Sequence, residues 1–352
     1  MRPAAFAIPG DFKQITGGFI YERSLLSALQ EAGREVTHLH LPAGFPDPTE
    51  AETQTARDIL TAVPADVPVI LDGLVFGAID PAILRAMRAP VIAMLHHPLG
   101  LETGLTPERA RFLRAREAEN LTLAAHVVVP SPHTAAILQA EFGVSADRIT
   151  IALPGFERRA AGGTTEIGVP KMPPLILSVG LLAARKGHDV LIDALARITD
   201  LDWRAEIVGA PHDPNVAAAL TAQITARGLG DRVHLAGLVR RGALNELYDT
   251  AAIFALATRY EGYGIVFGEA MQHGLPIVSC RTGAVAETVV KGAGILVPVD
   301  APEAFADALR LVLSDDAIRR AMAAASGAGG TGLPSWADTA AVMGGVIDRL
   351  AP

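Results

Sequence analysis

The sequence predicts an α/β protein built of two doubly wound, Rossmann-like halves with parallel sheets. Three observations lead there. Short apolar, β-like runs alternate with helical patterns along the whole chain, and such alternation implies parallel sheets covered on both faces. The alternation breaks once, at 160–174 (AAGGTTEIGVPKMPP), which is rich in Gly, Thr and Pro, lacks periodicity and reads as a linker. The chain has 352 residues, 50% of them hydrophobic, which suits two domains of about 150–180 residues with large cores.

In the first half the β-like runs are Ala4–Ile8, Glu35–Leu41, Pro68–Leu71, Val91–Leu95, His126–Val129 and Ile149–Leu153. Helical stretches between them include Phe19–Ala32, Pro107–Leu123 and Pro132–Phe142. After the linker a second series runs through Leu175–Val179, Arg204–Val208, Val233–Ala236, Ile253–Ala257, Pro276–Ser279 and Gly294–Val297. Its helical patterns include Val190–Arg197, Asn215–Arg227 and Glu303–Leu313. Ala321–Gly332 is rich in glycine and other small residues, and an amphipathic helix, Ser335–Leu350, follows. The expected divisions are a first domain over 1–159, a linker over 160–174, a second domain over 175–333 and a final helix over 334–352.

Composition narrows the function. Net charge is −8, which argues against nucleic-acid binding through bulk charge. The single cysteine, Cys280, rules out an internal disulfide framework and suits a reducing cytosol. No apolar run reaches the roughly 18–20 residues of a membrane span. The opening MRPAAFAIPGD reads as a strand feeding a loop and not as a signal peptide. The expected location is cytoplasmic, with peripheral membrane contact through the first domain as an extension. There is no HExxH, CxxC, DxD or paired Asp cluster, so neither a catalytic metal nor a cofactor is expected.

The densest signal is EGYGIVFGEAMQHGLPIVSC, Glu261–Cys280, with Glu261 and Glu269 eight positions apart. Gly262-Tyr263-Gly264 forms a glycine turn, and a helix pattern starts at Ile265 and Val266 and ends at Gly274. Such a turn presents unbonded backbone N–H groups and the positive end of a helix dipole to a diphosphate. Glu269 falls on or near the apolar face of that helix, where a partly buried carboxylate needs donors, and a ribose diol supplies two. Glu261, in the loop before the helix, is free to face a second hydroxylated group.

Arg185 and Lys186 follow the first strand of the second half, at a carboxyl edge where ligands bind in open α/β folds. Fixed cations there would meet the charge that develops on a leaving diphosphate. An isolated Arg-Lys pair would be an ordinary solvated loop. In the first half, Gly17-Gly18 precedes a helix and lets backbone approach a ligand closely, although a plain turn would look the same. His96-His97-Pro98 follows the strand Val91–Leu95. The helix from Pro107 carries Arg109, Arg111, Arg114 and Arg116, interspersed with glutamates. It reads as a solvated helix, or else as an acceptor or lipid-surface patch.

The glutamate motif resembles the donor site of the retaining family-4 glycosyltransferases, in which two glutamates flank seven residues. The resemblance is strong over Leu175–Pro298 and thin before Leu175. It implies a GT-B fold, two Rossmann-like domains facing a cleft, with the last helix returning to the first domain and an aromatic such as Trp336 at its start. It implies transfer of a sugar from a UDP- or GDP-sugar to a hydroxyl of a glycan, lipid or small molecule, the nucleotide-sugar being a substrate. Carried onto this chain, Glu269 holds the ribose, Glu261 the sugar, and Arg185 and Lys186 the diphosphate with Tyr263, Gly264, Ile265 and Val266. Gly237 and Leu238, after VHLA, hold the base through backbone atoms. Gly17, Gly18 and His96 close the site, with His97 as the alternative to His96. Leu153–Glu157 takes the place of a hinge segment. The family's usual Arg position is Leu181 here, and the adjacent Arg185 is the candidate substitute. Two other readings remain open: a nucleotide-sugar epimerase on the same fold, and a non-catalytic binding or scaffold protein, which Leu181 alone favours.

Overall fold

The computed structural model describes residues 1–14, 16–102, 104–157 and 173–350. The chain divides into two compact units, Met1–Glu157 with Pro334–Pro352, and Arg158–Leu333. The expected linker lies outside the described residues except for Pro173 and Pro174.

In the first unit β1 (Ala4–Pro9), β2 (Val36–Leu41), β3 (Val69–Asp72), β4 (Val91–Met94), β5 (His126–Val129) and β6 (Ile149–Ile151) form a parallel sheet in the order β2-β1-β3-β4-β5-β6. In the second, β7 (Leu175–Val179), β8 (Arg204–Val208), β9 (Val233–Gly237), β10 (Ile253–Leu256), β11 (Ile277–Cys280) and β12 (Gly294–Val297) form another, ordered β12-β11-β10-β7-β8-β9. Both units are doubly wound α/β structures, as the alternation predicts. Helices cover both faces, so inner strands such as β5 and β10 are buried at every residue. That burial explains why they read as continuous apolar runs. Each order reverses once, at β1/β3 and at β7/β10. In open sheets the crevice at the carboxyl end of such a switch point is where ligands bind.

The helices Pro107–Leu123 and Pro132–Phe142 match their predicted bounds. Thr106 and Ser131 cap them, and a proline at the first position needs no hydrogen bond there. The first helix, Gly17–Glu31, starts two residues before the expected Phe19, on a Thr16 cap. Glu50–Thr61, a helix not read from the sequence, opens on a Thr49/Glu52 capping box. The four arginines of Pro107–Leu123 each approach a carboxylate: Arg109–Asp47 at 2.6 Å, Arg111–Glu108 at 3.3 Å, Arg114–Glu141 at 2.8 Å and Arg116–Asp80 at 3.9 Å. Among the described residues no helix is long and apolar enough to cross a membrane.

The small-residue stretch Ala321–Gly332 is mostly helix, within Asp316–Thr331, and its composition has a packing reason. A Cβ on Gly330 would fall 2.4 Å from the carbonyl oxygen of Met271. The glycines therefore let this helix lie directly on Ile265–Gln272, the helix of the glutamate motif.

The final helix, Trp336–Arg349, begins on a Ser335/Asp338 capping box and packs on the first helix. Arg34, almost wholly buried, ties it down by an ion pair to Asp348 at 2.9 Å. Thr339 donates to the Leu153 carbonyl at 2.8 Å, and Trp336 packs edge-on against Tyr21. Gly155 lies under the helix start, where a Cβ would stand 2.3 Å from the Trp336 nitrogen. Gly155→Ala should therefore lower the melting temperature, with a loss of about 2 kcal/mol from overpacking. A thermal or denaturant melt equal to that of the parent protein would contradict this packing account.

Candidate functional site

In the second unit the switch point brings together the loops after β7 and β10. The β7 loop makes a short turn, Ala184–Lys186, and ends at Gly187. Gly187 has φ +63°, and a Cβ there would lie 1.9 Å from the Ala257 carbonyl oxygen, so the two loops touch backbone to backbone. The Arg259 amide donates to the Arg185 carbonyl at 2.8 Å and completes the junction.

Across it Lys186 Nζ meets Glu261 Oε1 at 2.6 Å, with 12% and 6% of the two side chains exposed. Thr258 Oγ1 stands 3.0 Å from the same carboxylate oxygen. Arg185 donates to the Tyr260 carbonyl at 3.2 Å and approaches Glu261 Oε2 at 3.9 Å. Glu261 thus does not stand free in its loop, as expected from the sequence. It is buried and ion-paired, because the β10 loop folds under the β7 loop and a carboxylate there requires a cation. Gly283, at φ +50°, fits against the Glu261 backbone, where a Cβ would be 2.2 Å from the Glu261 carbonyl oxygen. The Ala284 amide donates to that oxygen at 2.9 Å.

The helix Ile265–Gln272 starts directly beside this pair. Gly264, its N-cap, has φ +84°, and a Cβ on it would stand 3.5 Å from Glu261 Cγ. The first amides, at Ile265 and Val266, have no intrahelical acceptor. Tyr263 is buried, and Thr288 donates to its carbonyl at 2.7 Å. Glu269 lies further along the helix with 12% of its side chain exposed. Tyr248 Oη donates to its Oε2 at 2.9 Å and Arg241 to its Oε1 at 2.5 Å. Burial and the Glu269 charge hold the Tyr248 hydroxyl well above its ordinary pKa, so it stays a donor. The donors that Glu269 needs are therefore already present as two side chains. At the end of β9, Gly237 has φ +62° and open space at its Cβ position, and Leu238 is 58% exposed.

In the first unit Gly18 and His96 meet. A Cβ on Gly18 would lie 3.3 Å from His96 Cδ2, and the Gly17 Cβ position is open. The Tyr21 ring packs edge-on to His96 at 5.0 Å, and His96 Nε2 is 3.6 Å from Glu22 Oε1. These contacts belong to His96. The Leu181 position bears no cation, but its neighbour Arg185 reaches the Glu261 carboxylate.

Sequence reasoning passed over Thr258, Gly283, Tyr248 and Arg241. Thr258 had one signal, its place two residues beyond β10 at the carboxyl edge. The other three reach the site only through the fold.

The Lys186–Glu261 pair yields a stability prediction. Lys186→Met leaves the buried Glu261 carboxylate with only the distant Arg185 guanidinium and the Thr258 hydroxyl, and should cost about 3 kcal/mol. Lys186→Met with Glu261→Gln should recover more than half of that in denaturant melts. A single variant as stable as the parent would show that the pair is not coupled.

Comparisons with known proteins bear on the fold and the family. Residues 56–158 match the model for Glycosyltransferase Family 4, and residues 165–327 match that for Glycosyl transferases group 1. The chain is 32% identical over 202 residues to the D-inositol 3-phosphate glycosyltransferase of Xylanimonas cellulosilytica, covering 57% of this chain and 48% of that one. It is 26% identical over 277 residues to the protein of that name from Thermobifida fusca, covering 73% and 63%. The chain thus spans about half the length of the curated relatives it matches. Sucrose-phosphate synthase from Thermosynechococcus elongatus has the same fold, with a TM-score of 0.84 over 99% of both chains at 22% identity. Anabaena HepE in complex with UDP and glucose gives 0.72 over 99% of this chain and 100% of its own at 17% identity. The two family models together take in most of both units, and the chain belongs to the family-4 glycosyltransferases of GT-B fold.

Proposed function

We propose that the chain transfers a sugar, with retention of configuration and without a metal, from a UDP- or GDP-sugar to a hydroxyl of a glycan, lipid or small molecule. The observation that carries this reading is the cluster of Lys186, Arg185 and Glu261 beside a helix N-terminus at a topological switch point. The cluster keeps a net positive charge, and the amides at Ile265 and Val266, which have no intrahelical acceptor, add to it. A diphosphate gains negative charge as its bond to the sugar breaks, so these fixed groups favour the transition state over the bound substrate. The relatives' names support the reaction class, and HepE, solved with UDP and glucose, supports the donor class.

In this reading the anomeric carbon loses the diphosphate oxygen and gains the acceptor oxygen on the same face. The acceptor's proton passes to the leaving phosphate. Glu261 Oε1 is engaged by Lys186, and Oε2 accepts from the sugar. A carboxylate has about four acceptor positions, so Glu269 takes the ribose hydroxyls alongside Tyr248 and Arg241. Gly237 and Leu238 hold the base. Gly17, Gly18 and His96 of the first unit are the further sugar contacts. The rival scaffold reading rested on Leu181. Arg185 weakens it by standing 3.9 Å from Glu261 without help from that position.

Thermal melts with UDP, GDP and ADP, and with their sugars, test the proposal in the absence and presence of Mg²⁺. One nucleotude series should stabilise the protein, by about 2.7 kcal/mol at one hundred times Kd. The shift should be independent of metal and lost in Glu269→Ala. No shift with any of them at millimolar concentration would overturn the donor site. Binding without sugar transfer to any acceptor hydroxyl would move the assignment to the scaffold reading.

A further inference from the structure

The first unit holds two buried carboxyls, Glu22 and Asp72, that the proposed reaction leaves unused. Asp72 and His96 stand at the carboxyl ends of the neighbouring strands β3 and β4, and the first helix brings Glu22 to both. Glu22 is 0% exposed and Asp72 3%. Asp72 Oδ1 accepts from the amides of Leu74 at 2.9 Å and Val75 at 3.3 Å. Burial of both carboxyls disfavours their ionised forms. Burial pushes Glu22 up to about 7, and burial with the Glu22 charge raises Asp72 well above the usual carboxylate range.

His96 lies against this pair on one edge only. Its Nε2 is buried, 3.6 Å from Glu22 Oε1 and without a hydrogen bond, while 25% of the side chain is exposed. Gly18 and Tyr21 close off the same side of the ring. At 3.6 Å the approach is electrostatic and not a formed hydrogen bond. It still fixes a sign once Glu22 is ionised, as at pH 7.5, because a lone pair on Nε2 would face oxygen lone pairs whereas an N–H would be attracted. Burial lowers the His96 pKa, and the Asp72 charge offsets part of this.

We propose that Glu22 is a positioning residue for His96, holding it as the neutral tautomer with its proton on Nε2 so that Nδ1 serves as an acceptor. An acceptor there takes a hydroxyl from a sugar and has no donor to offer a phosphate. This specificity rests on the sugar-transfer reading above, but the tautomer does not.

Nitrogen-15 NMR of the His96 ring at pH 7.5 reads the tautomer directly in the ligand-free protein. The parent protein should show the proton on Nε2. Glu22→Gln keeps an oxygen acceptor and should keep that tautomer. Glu22→Met removes the acceptor and should shift the tautomer ratio toward Nδ1–H by roughly tenfold. A proton on Nδ1, or a charged ring, in the parent protein overturns the proposal even if Glu22→Met does not fold. An unchanged ratio in folded Glu22→Met overturns it as well. If the expected spectra appear and no nucleotide-sugar binds, the sugar-transfer reading fails while the tautomer assignment stands.

Discussion

The Lys186–Glu261 ion pair is the contact on which the architecture of the second unit turns. It joins the loops after β7 and β10, the two strands that flank the reversal of sheet order. A buried ion pair contributes only when its geometry is tight and its other lone pairs are satisfied. The surroundings meet that demand with backbone. Gly187 lets one loop rest on the Ala257 carbonyl, Gly283 lets another rest on Glu261, and Thr258 serves the shared carboxylate oxygen. Lys186 is thereby held still before any ligand arrives. A preorganised cation loses little to reorganisation when charge develops beside it.

The same constraint explains the glycines. A Cβ at Gly264, Gly283 or Gly187 would overlap an aromatic ring or a carbonyl, and all three have positive φ. Behind the motif helix, Gly330 answers a different need, close approach of a second helix to Met271. That second helix keeps the first in place from the side away from its N-terminus. The motif helix is thus supported by small residues more than fifty positions along the chain.

The fold was largely legible because buried parallel strands must be apolar at both faces, and strands such as β5, β7 and β8 fall at their predicted residues. The glutamates, the glycine turn and the Arg-Lys pair were legible because each follows a strand or opens a helix. What surrounds them was not. The periodicities of helix and strand say which face a residue takes, but not which loop lies opposite it. Tyr248 and Arg241 reach Glu269 from another helix, and Lys186 reaches Glu261 across 75 positions of sequence. Ala321–Gly332 stood out only as rich in glycine, which lowers helix propensity, and only the contact with Met271 shows why a helix there needs it.

The two units treat buried carboxyls in opposite ways, and the difference bears on what each can hold. In the second unit Glu261 and Glu269 each have a cation at hand and hydroxyl donors beside it. With Arg185 added, the Lys186–Glu261 locality stays positive. In the first unit no Lys or Arg pairs with Glu22 or Asp72 among the described residues, and burial raises the pKa of both. The Asp72 carboxyl accepts from the amides of Leu74 and Val75. The second unit therefore offers fixed cations where the proposal sets a diphosphate, and the first unit offers buried carboxyls and His96 instead.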